Sequence, residues 1–176
     1  LAMPSANLSS GVSPVSAFDV SEEFKKKLKI IVNGGSSKIG IESTVISLVG
    51  RPKILSPGII GIVNISKILK VNYVKKSLKI NSPGMLKKHY SPGIPLLMNK
   101  KKTEENCALI TFSKKYKNMK NCFNLSKKAD LKEAAANLYK TFRKIKKLGY
   151  KKIYVVKIPN FGPGIAINDR LKRAAY

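Results

Sequence analysis

Short hydroxyl and amide side chains follow one another near the start of the chain, in the string Pro4-Ser5-Ala6-Asn7-Leu8-Ser9. Proline fixes its own φ and favours extended backbone in the residue before it. The serines and the asparagine can bond to nearby backbone groups or to the oxygen atoms of a ligand. Such a string suits a loop that leaves a strand over a ligand, although a polar turn is the commoner structure for these residue types.

A second group of hydroxyls follows a glycine turn, Gly34-Gly35, in the run Gly40-Ile41-Glu42-Ser43-Thr44-Val45-Ile46. The β-branched residues of this run predict a strand, and Ser43 and Thr44 lie near the start of that strand. The glycine spacing superficially suggests a phosphate loop. However, the Gly-Lys-Ser/Thr step that defines such a loop is absent, so we reject that interpretation.

Three further segments complete an ordered set, namely Lys53–Ile59 with its Ser-Pro-Gly turn, Ser82–Pro92, and Gly162–Ala175. Together and in this order they resemble the threonylcarbamoyl-AMP synthases, the YrdC-like family, in the long form that has an additional carboxy-terminal domain. The resemblance extends from Leu1 to Tyr176. It implies an α/β fold made of the back half of a YrdC-like catalytic domain, a docking linker and a small Rossmann-like parallel βαβ domain.

The resemblance implies a reaction in which L-threonine, bicarbonate and ATP give threonylcarbamoyl-AMP and pyrophosphate, for modification of an adenosine in tRNA. ATP with Mg²⁺ is then a substrate, and no resident metal or organic cofactor is predicted. The implied site residues are Asn7 in the catalytic motif, Ser5, Ser13 and Tyr90 for ATP, and Met3 (through its main chain) and Ser43 for L-threonine. For Tyr90, an alternative role is to hold the linker down on the surface.

Two departures from the family pattern concern the triphosphate. Ser56 stands where the family has an arginine, which removes a bidentate phosphate donor. The family's upstream lysine and arginine have no paired equivalent between Leu1 and Tyr176. We therefore expect the chain alone to be inactive and to need a front-half polypeptide. The alternatives are a non-catalytic basic remnant with an RNA-binding or regulatory role, and a decayed fragment that does not fold.

Charge is the most unusual feature of the composition. There are 35 Lys and Arg residues against 9 Asp and Glu, giving a net charge of +26. A basic surface attracts nucleic-acid phosphates, so weak RNA binding, including double-stranded RNA, is a candidate property. Against a dedicated nucleic-acid site, few of these cations are arginines and the lysines are scattered along the sequence.

The composition also excludes several classes of protein. No apolar run approaches the roughly 20 residues that a membrane helix needs, and the start lacks a signal-peptide layout, so we predict a cytoplasmic protein without a membrane partner. The only cysteines are Cys107 and Cys122 and the only histidine is His89. These are too few for a disulfide framework or a zinc site.

Three regions are expected along the chain, at residues 1–60, 61–100 and 101–176, corresponding to the catalytic part, the linker and the carboxy-terminal domain. In the first region, the patterns predict a helix at 16–24 and strands at 30–32, 43–49 and 53–55. We read the second region as a linker because it is polar and bounded by prolines.

The third region predicts a βαβ unit with strands at 107–112 and 153–158 and a final helix at 165–176. Apolar residues recur at three- and four-residue steps from Leu131 to Leu148, which predicts an amphipathic helix. Ser126 is the predicted cap of that helix, and Gly149 is the predicted left-handed residue after it. The turn Gly162-Pro163-Gly164 is assigned no ligand.

Overall fold

The protein is described by a computed structural model, which covers residues 5–73, 89–101, 104–116 and 119–175. The helices are α1 (Ala17–Phe24), α2 (Ile62–Ser66), α3 (Leu131–Lys147) and α4 (Pro163–Ala174), with 3₁₀ turns at Lys25–Lys27 and Lys114–Tyr116. The strands are β1 (Val45–Ser47), β2 (Lys53–Ser56), β3 (Asn72–Tyr73), β4 (Leu96–Met98), β5 (Cys107–Thr111), β6 (Cys122–Asn124) and β7 (Lys152–Val155).

The carboxy-terminal half is built on a parallel four-stranded sheet in the order β4-β7-β5-β6. All five residues of β5 are buried, as expected for a parallel strand that is covered on both faces. The predicted α/β class and the predicted parallel pairing of the strands at 107–112 and 153–158 are confirmed. The short strands β4 and β6 were not predicted.

Helix α3 covers this sheet with the apolar face that its sequence predicts. Its buried residues are Leu131, Ala134, Ala135, Leu138, Tyr139, Phe142 and Ile145. Gly149 has the predicted positive φ, at 79°. Leu148, by contrast, is exposed, so its assignment to the apolar face is wrong.

The cap of α3 is Asp130 rather than the predicted Ser126. The Asp130 carboxylate accepts hydrogen bonds from the amides of Lys132 (2.6 Å) and Glu133 (3.2 Å). The Ser126 hydroxyl lies one turn earlier, where it accepts from the Asp130 amide (2.9 Å) and donates to Glu133 (2.6 Å). Ser126 therefore holds the capping residue in place instead of capping the helix itself. The helix begins four residues later than the pattern predicted.

The amino-terminal half contains a smaller sheet in the order β1-β2-β3. The strand predicted at 53–55 is confirmed, and the strand predicted at 43–49 is shorter, at Val45–Ser47. The strand predicted at 30–32 is wrong, because the chain there is irregular and both Ile30 and Val32 are exposed. A β-branched run without a neighbouring strand to supply hydrogen bonds does not form a ladder.

The region read as a linker contains regular structure. Helix α2 buries Ile65, and β3 extends the smaller sheet by pairing in parallel with β2. Helix α2 and strand β3 are very short. The polar composition of the region and the prolines that bound it therefore concealed them. Residues 74–88, with the second Ser-Pro-Gly turn, lie outside the described residues, and the boundaries proposed at 60 and 100 stay predictions.

The two halves share one buried core. Val12, Val15, Ile41 and Tyr90 belong to the same apolar cluster as the carboxy-terminal sheet and α3. The contact is closest at Gly40, where an added Cβ would lie 2.6 Å from backbone atoms of Ala136. This loop can therefore approach α3 only with glycine at that position.

Replacing Gly40 by alanine should detach this loop from α3 and lower the free energy of unfolding. Gly40→Ala meets both the close contact and a φ of +77°. Gly50→Ala is the matched control, since its φ is +68° but nothing lies within 4 Å. We expect a loss of roughly 1 kcal/mol for Gly50→Ala and at least about 2 kcal/mol more for Gly40→Ala, measured by urea unfolding. Equal losses would contradict the close contact.

Candidate functional site

The predicted nucleotide residues begin on an exposed amino-terminal segment. Ser5 is exposed, and its carbonyl accepts a hydrogen bond from the Asn7 amide at 3.0 Å. The Asn7 side chain is half-buried and donates to the Leu8 carbonyl at 2.8 Å. Its Oδ1 is buried without a hydrogen-bond partner in the described part of the chain. Met3 lies outside the described residues.

Five side chains from five separate segments meet around one carboxylate, and we call them the Glu42 cluster: Ser13, Glu42, Tyr90, Tyr139 and Arg170. Glu42 accepts from the Ser13 hydroxyl through Oε1 and from the Tyr139 hydroxyl through Oε2, the latter at 2.8 Å. Arg170 Nε donates to the same Oε2 at 3.2 Å. The structure thus brings Ser13 and Tyr90, two of the predicted site residues, into one network.

The guanidinium of Arg170 is the most deeply buried charge in the described ranges, with 0% of its side chain exposed. Besides Glu42, it contacts the Pro57 carbonyl, the Ser56 hydroxyl at 3.4 Å and the Asp169 carboxylate at 3.1 Å. Buried Ser56, at the position where the sequence resemblance leads one to expect an arginine, therefore lies against an arginine of α4. An arginine fork suits this task because it can satisfy several acceptors in one plane.

Tyr90 is packed inside the protein, with 3% of its surface exposed. Its ring stacks on that of Tyr139 with centroids 5.8 Å apart, and the Arg170 guanidinium carbon lies 5.1 Å from the ring centroid. The neighbouring His89 ring meets Tyr90 edge-on at 4.1 Å. Tyr90 also has a φ of 59°, which is unusual for a bulky residue and is held by this packing.

Burial changes the protonation of these rings. Desolvation is the main reason that the pKa of Tyr90 rises to about 12, although the charge of Arg170 partly opposes it. Desolvation, together with Glu42, raises the pKa of Tyr139 well above its ordinary value. Burial lowers the pKa of His89, against the attraction of Glu42. All three rings are therefore favoured in their neutral forms near pH 7.

Ser43 lies just before β1 and is exposed, whereas its neighbour Thr44 has a structural role. The Thr44 hydroxyl donates to the Ile60 carbonyl at 2.7 Å and accepts from the Gly58 amide at 3.0 Å. A Cβ on Gly58 would lie 2.3 Å from the Thr44 amide nitrogen, so the turn after β2 crosses tightly over this point. The backbone that carries Ser43 is thereby fixed.

The segment at 89–91 is attached to the amino-terminal segment. The Ser91 amide donates to the Ser10 carbonyl at 2.9 Å, and Ser91 forms a parallel bridge with Gly11. The His89 amide donates to the Arg173 carbonyl of α4 at 3.3 Å. Residues on both sides of Tyr90 are therefore docked, as predicted for the end of the linker.

A separate cleft of about 860 Å³ lies between α1 and α3. Its walls combine apolar side chains such as Val12 and Phe18 with lysines of α3, and none of the predicted site residues lines it. Within the described ranges, no group of three or more His, Cys, Asp or Glu side chains could hold a metal ion. No helix there is long and apolar enough to span a membrane.

Glu42 and Arg170 are the residues that sequence reasoning missed. Both stand inside motifs that the sequence displays, Glu-Ser-Thr-Val and Asn-Asp-Arg-Leu, but the sequence prediction assigned a role only to Ser43 of the first motif and none to the second. For Glu42, the available signal was a single acid beside an apolar, hydroxyl-rich strand, whereas Arg170 stands among other charged residues and had no such signal. Their pairing across 128 positions could not be inferred from either motif alone.

The fold and the Glu42 cluster together define a class of α/β protein. In this class, a carboxy-terminal parallel sheet is joined to part of a second α/β domain by a buried, charged arginine. Two family models match. One, described as "Threonylcarbamoyl-AMP synthase, C-terminal domain", covers residues 60–176, and one described as "Telomere recombination" covers residues 1–58. The chain belongs to the family of threonylcarbamoyl-AMP synthases that carry this carboxy-terminal domain.

Curated relatives agree with this assignment. The chain is 32% identical to the threonylcarbamoyl-AMP synthase of Pyrococcus abyssi, with 99% of this chain and 57% of the relative aligned. The corresponding Bacillus subtilis protein gives the same identity and the same coverage. The chain therefore spans a little over half the length of these relatives.

Solved structures show the same fold. The crystal structure of P. abyssi Sua5 complexed with L-threonine superposes with a TM-score of 0.83 at 28% identity, covering 98% of this chain and 56% of that one. A P. abyssi Sua5 variant with adjacent histidine and tyrosine replaced by alanine gives a TM-score of 0.81, also at 28% identity and with the same coverage.

Alkaline pH should destabilise the fold through Tyr90. Its pKa is about 12 when folded and 10.0 ordinarily, so the unfolded state loses the phenol proton first and stability falls between about pH 10 and pH 12. Two pKa units correspond to roughly 2–3 kcal/mol. In urea unfolding at stepped pH, Tyr90→Phe should lessen this fall. Tyr150→Phe, outside the cluster, is the control, and identical pH slopes for the two variants would count against the burial argument.

Proposed function

We propose that this chain supplies part of the active site of a threonylcarbamoyl-AMP synthase, which converts L-threonine, bicarbonate and ATP to threonylcarbamoyl-AMP and pyrophosphate for tRNA modification. The observation that carries the proposal is the agreement in fold with the Sua5 structure named for its complex with L-threonine. The ordered motifs at both ends of the chain support it.

Threonine recognition is assigned to Ser43 and to the main chain of Met3. Ser43 is exposed at the mouth of β1, on backbone that Thr44 and Gly58 hold in place. A fixed hydroxyl can bond to a polar group of an amino acid without first being ordered, which lowers the entropic cost of binding. This supports Ser43 as a substrate contact.

Nucleotide recognition is assigned to Ser5, Asn7 and Ser13, with ATP entering as its Mg²⁺ complex. The Ser13 proton is directed to Glu42, so its oxygen remains an acceptor for an N–H or O–H group of the nucleotide. Tyr90 lies in the stack with Tyr139 and Arg170, so touching the nucleotide directly would require its ring to move. Its packing supports the docking of residues 89–91 against Ser10, Gly11 and α4.

The chemistry of this reaction is mainly positional. The carboxylated amine of threonine attacks the α-phosphorus of ATP, and the bond from that phosphorus to the pyrophosphate breaks. Charge must be neutralised on the departing phosphates by oriented donors and cations. Ser56 cannot supply that charge, and Arg170 is engaged by Glu42, Asp169 and Pro57. We propose that the phosphate-binding cations come from another part of the assembled catalytic domain.

Exposed apolar side chains support a further polypeptide segment as a partner. In the amino-terminal half they include Ile30, Val32, Leu48, Val49, Val63 and Ile68. Large apolar side chains exposed together commonly mark an interaction surface. We propose that these side chains pack against the remaining part of the catalytic domain, as a domain of the same protein or as a separate chain, in the cytoplasm.

A second candidate function is RNA binding, favoured by one specific feature of the fold. Helix α3 gathers Lys140, Lys144, Lys146 and Lys147 on its exposed side, although the lysines look scattered in the sequence. A cationic helix face attracts phosphate backbones in a salt-dependent way. This surface fits a synthase that works near tRNA as well as a remnant that only binds RNA.

The proposal is tested by pyrophosphate release from ATP with and without threonine and bicarbonate. The chain is assayed alone and mixed with the part of the P. abyssi relative that it does not match. Release that depends on threonine is expected in the mixture. Ser43→Ala and Ser5→Ala should each lower kcat/KM by roughly 10- to 100-fold, the loss of one hydrogen bond to a charged substrate.

The matched control is Ser66→Ala, an exposed serine at the end of α2 that should not change the rate. Turnover by the chain alone would show that no partner segment is needed. A folded chain that releases no pyrophosphate in the mixture, yet binds an RNA duplex at low salt, would favour the RNA-binding function.

A further inference from the structure

We propose that Arg170 of α4 is a positioning residue for the nucleotide part of the site, acting on Ser13 through Glu42 and on Tyr90 directly. The inference rests on the proposed function for its consequence in ATP binding, but its structural part can be tested without any ligand. It gives the carboxy-terminal domain a role in shaping a site that other segments form.

The geometry at Glu42 is the first step. Its two carboxylate oxygens have different partners: Oε1 accepts only from Ser13 among the described residues, and Oε2 accepts from Tyr139 and Arg170. Because two donors fix Oε2, the plane of the carboxylate is set from the carboxy-terminal half. That plane in turn fixes the direction of the Ser13 hydroxyl and of its remaining lone pair.

The packing at Tyr90 is the second step. The Arg170 guanidinium covers one part of the ring at 5.1 Å, and Tyr139 stacks on it at 5.8 Å. A left-handed φ of 59° is costly for tyrosine unless surrounding contacts hold it. Arg170 is therefore among the groups that stabilise this backbone, which in turn places Ser91 against Ser10.

A lysine could not replace this arginine fully. Nε contacts Glu42, while Nη1 contacts Ser56, Pro57 and Asp169. One nitrogen therefore binds the loop before β1, and another binds the end of β2 and the neighbouring residue of α4. An ammonium group is a single point charge and cannot reach both sets of acceptors. This separates a positioning role of the guanidinium from a mere requirement for positive charge.

The first measurement is amide hydrogen exchange on the full chain without ligand. Arg170→Met should speed exchange at residues 10–13 and 89–91 by about tenfold or more, while β5 and β7 exchange as in the unchanged protein. Arg51→Met is the control, since it removes an equal charge from an exposed arginine. Glu42→Gln, at the more exposed end of the pair, gives the same test if Arg170→Met does not fold.

The second measurement separates positioning from general loss of stability. In the assembled protein, Arg170→Met and Glu42→Gln should weaken ATP binding about tenfold, with threonine binding unchanged because Ser43 is exposed outside the cluster. Arg170→Lys should restore slow exchange at 89–91 in part but leave ATP binding weak. Equal losses for both ligands would indicate a structural role only and would overturn the proposal.

Different results would contradict the proposed function and the proposed positioning role of Arg170. If the unchanged protein binds neither ATP nor threonine, the proposed function is wrong, and the exchange data alone still decide whether Arg170 orders Ser13 and Tyr90. If Arg170→Met and Glu42→Gln exchange like Arg51→Met at 10–13 and 89–91, Arg170 does not position these residues, whatever the enzyme assay shows.

Discussion

A buried guanidinium with no exposed surface constrains much of this fold. Arg170 is always charged, and an unpaired charge of this kind in the interior costs several kcal/mol. Its acceptors come from the loop at Glu42, from the turn at Ser56 and Pro57, and from Asp169 of its own helix. The two halves must therefore meet in one arrangement, because separating them would leave the Arg170 guanidinium without its acceptors from the other half.

That constraint explains the close backbone approaches nearby. Gly40 allows its loop to touch α3, and Gly58 allows the turn after β2 to cross Thr44. Both contacts bring the acceptors for Arg170 within reach, and both would be blocked by a Cβ. The hydroxyl of Ser13 thus depends on a charge pair and on Gly40, and the backbone of Ser43 depends on Gly58, more than either depends on the strand beside it.

The sequence predicted what local periodicity determines and missed what distant pairing determines. Helix α3 has a long, regular apolar pattern and strand β5 has a continuous apolar run, and both were found. The strand expected at 30–32 had the composition of a strand but no partner strand. The site residues Ser13 and Tyr90 were named from a family resemblance. Glu42, which binds Ser13, and Arg170, which packs on Tyr90, were not, because only the folded chain brings residues 42 and 170 together.

The distribution of acids shows how so basic a chain holds together. Only nine carboxylates are present, and Asp19, Glu23, Glu42 and Asp169 all lie at the junction of the halves. Each faces an arginine, whose fork suits a partly buried pair better than a lysine does. Lys147 of α3, by contrast, pairs with Glu22 at 3.6 Å in an exposed ion pair, and Lys140, Lys144 and Lys146 are also exposed. Arginine and acid therefore serve the interior junction, while lysine gives the surface its positive field.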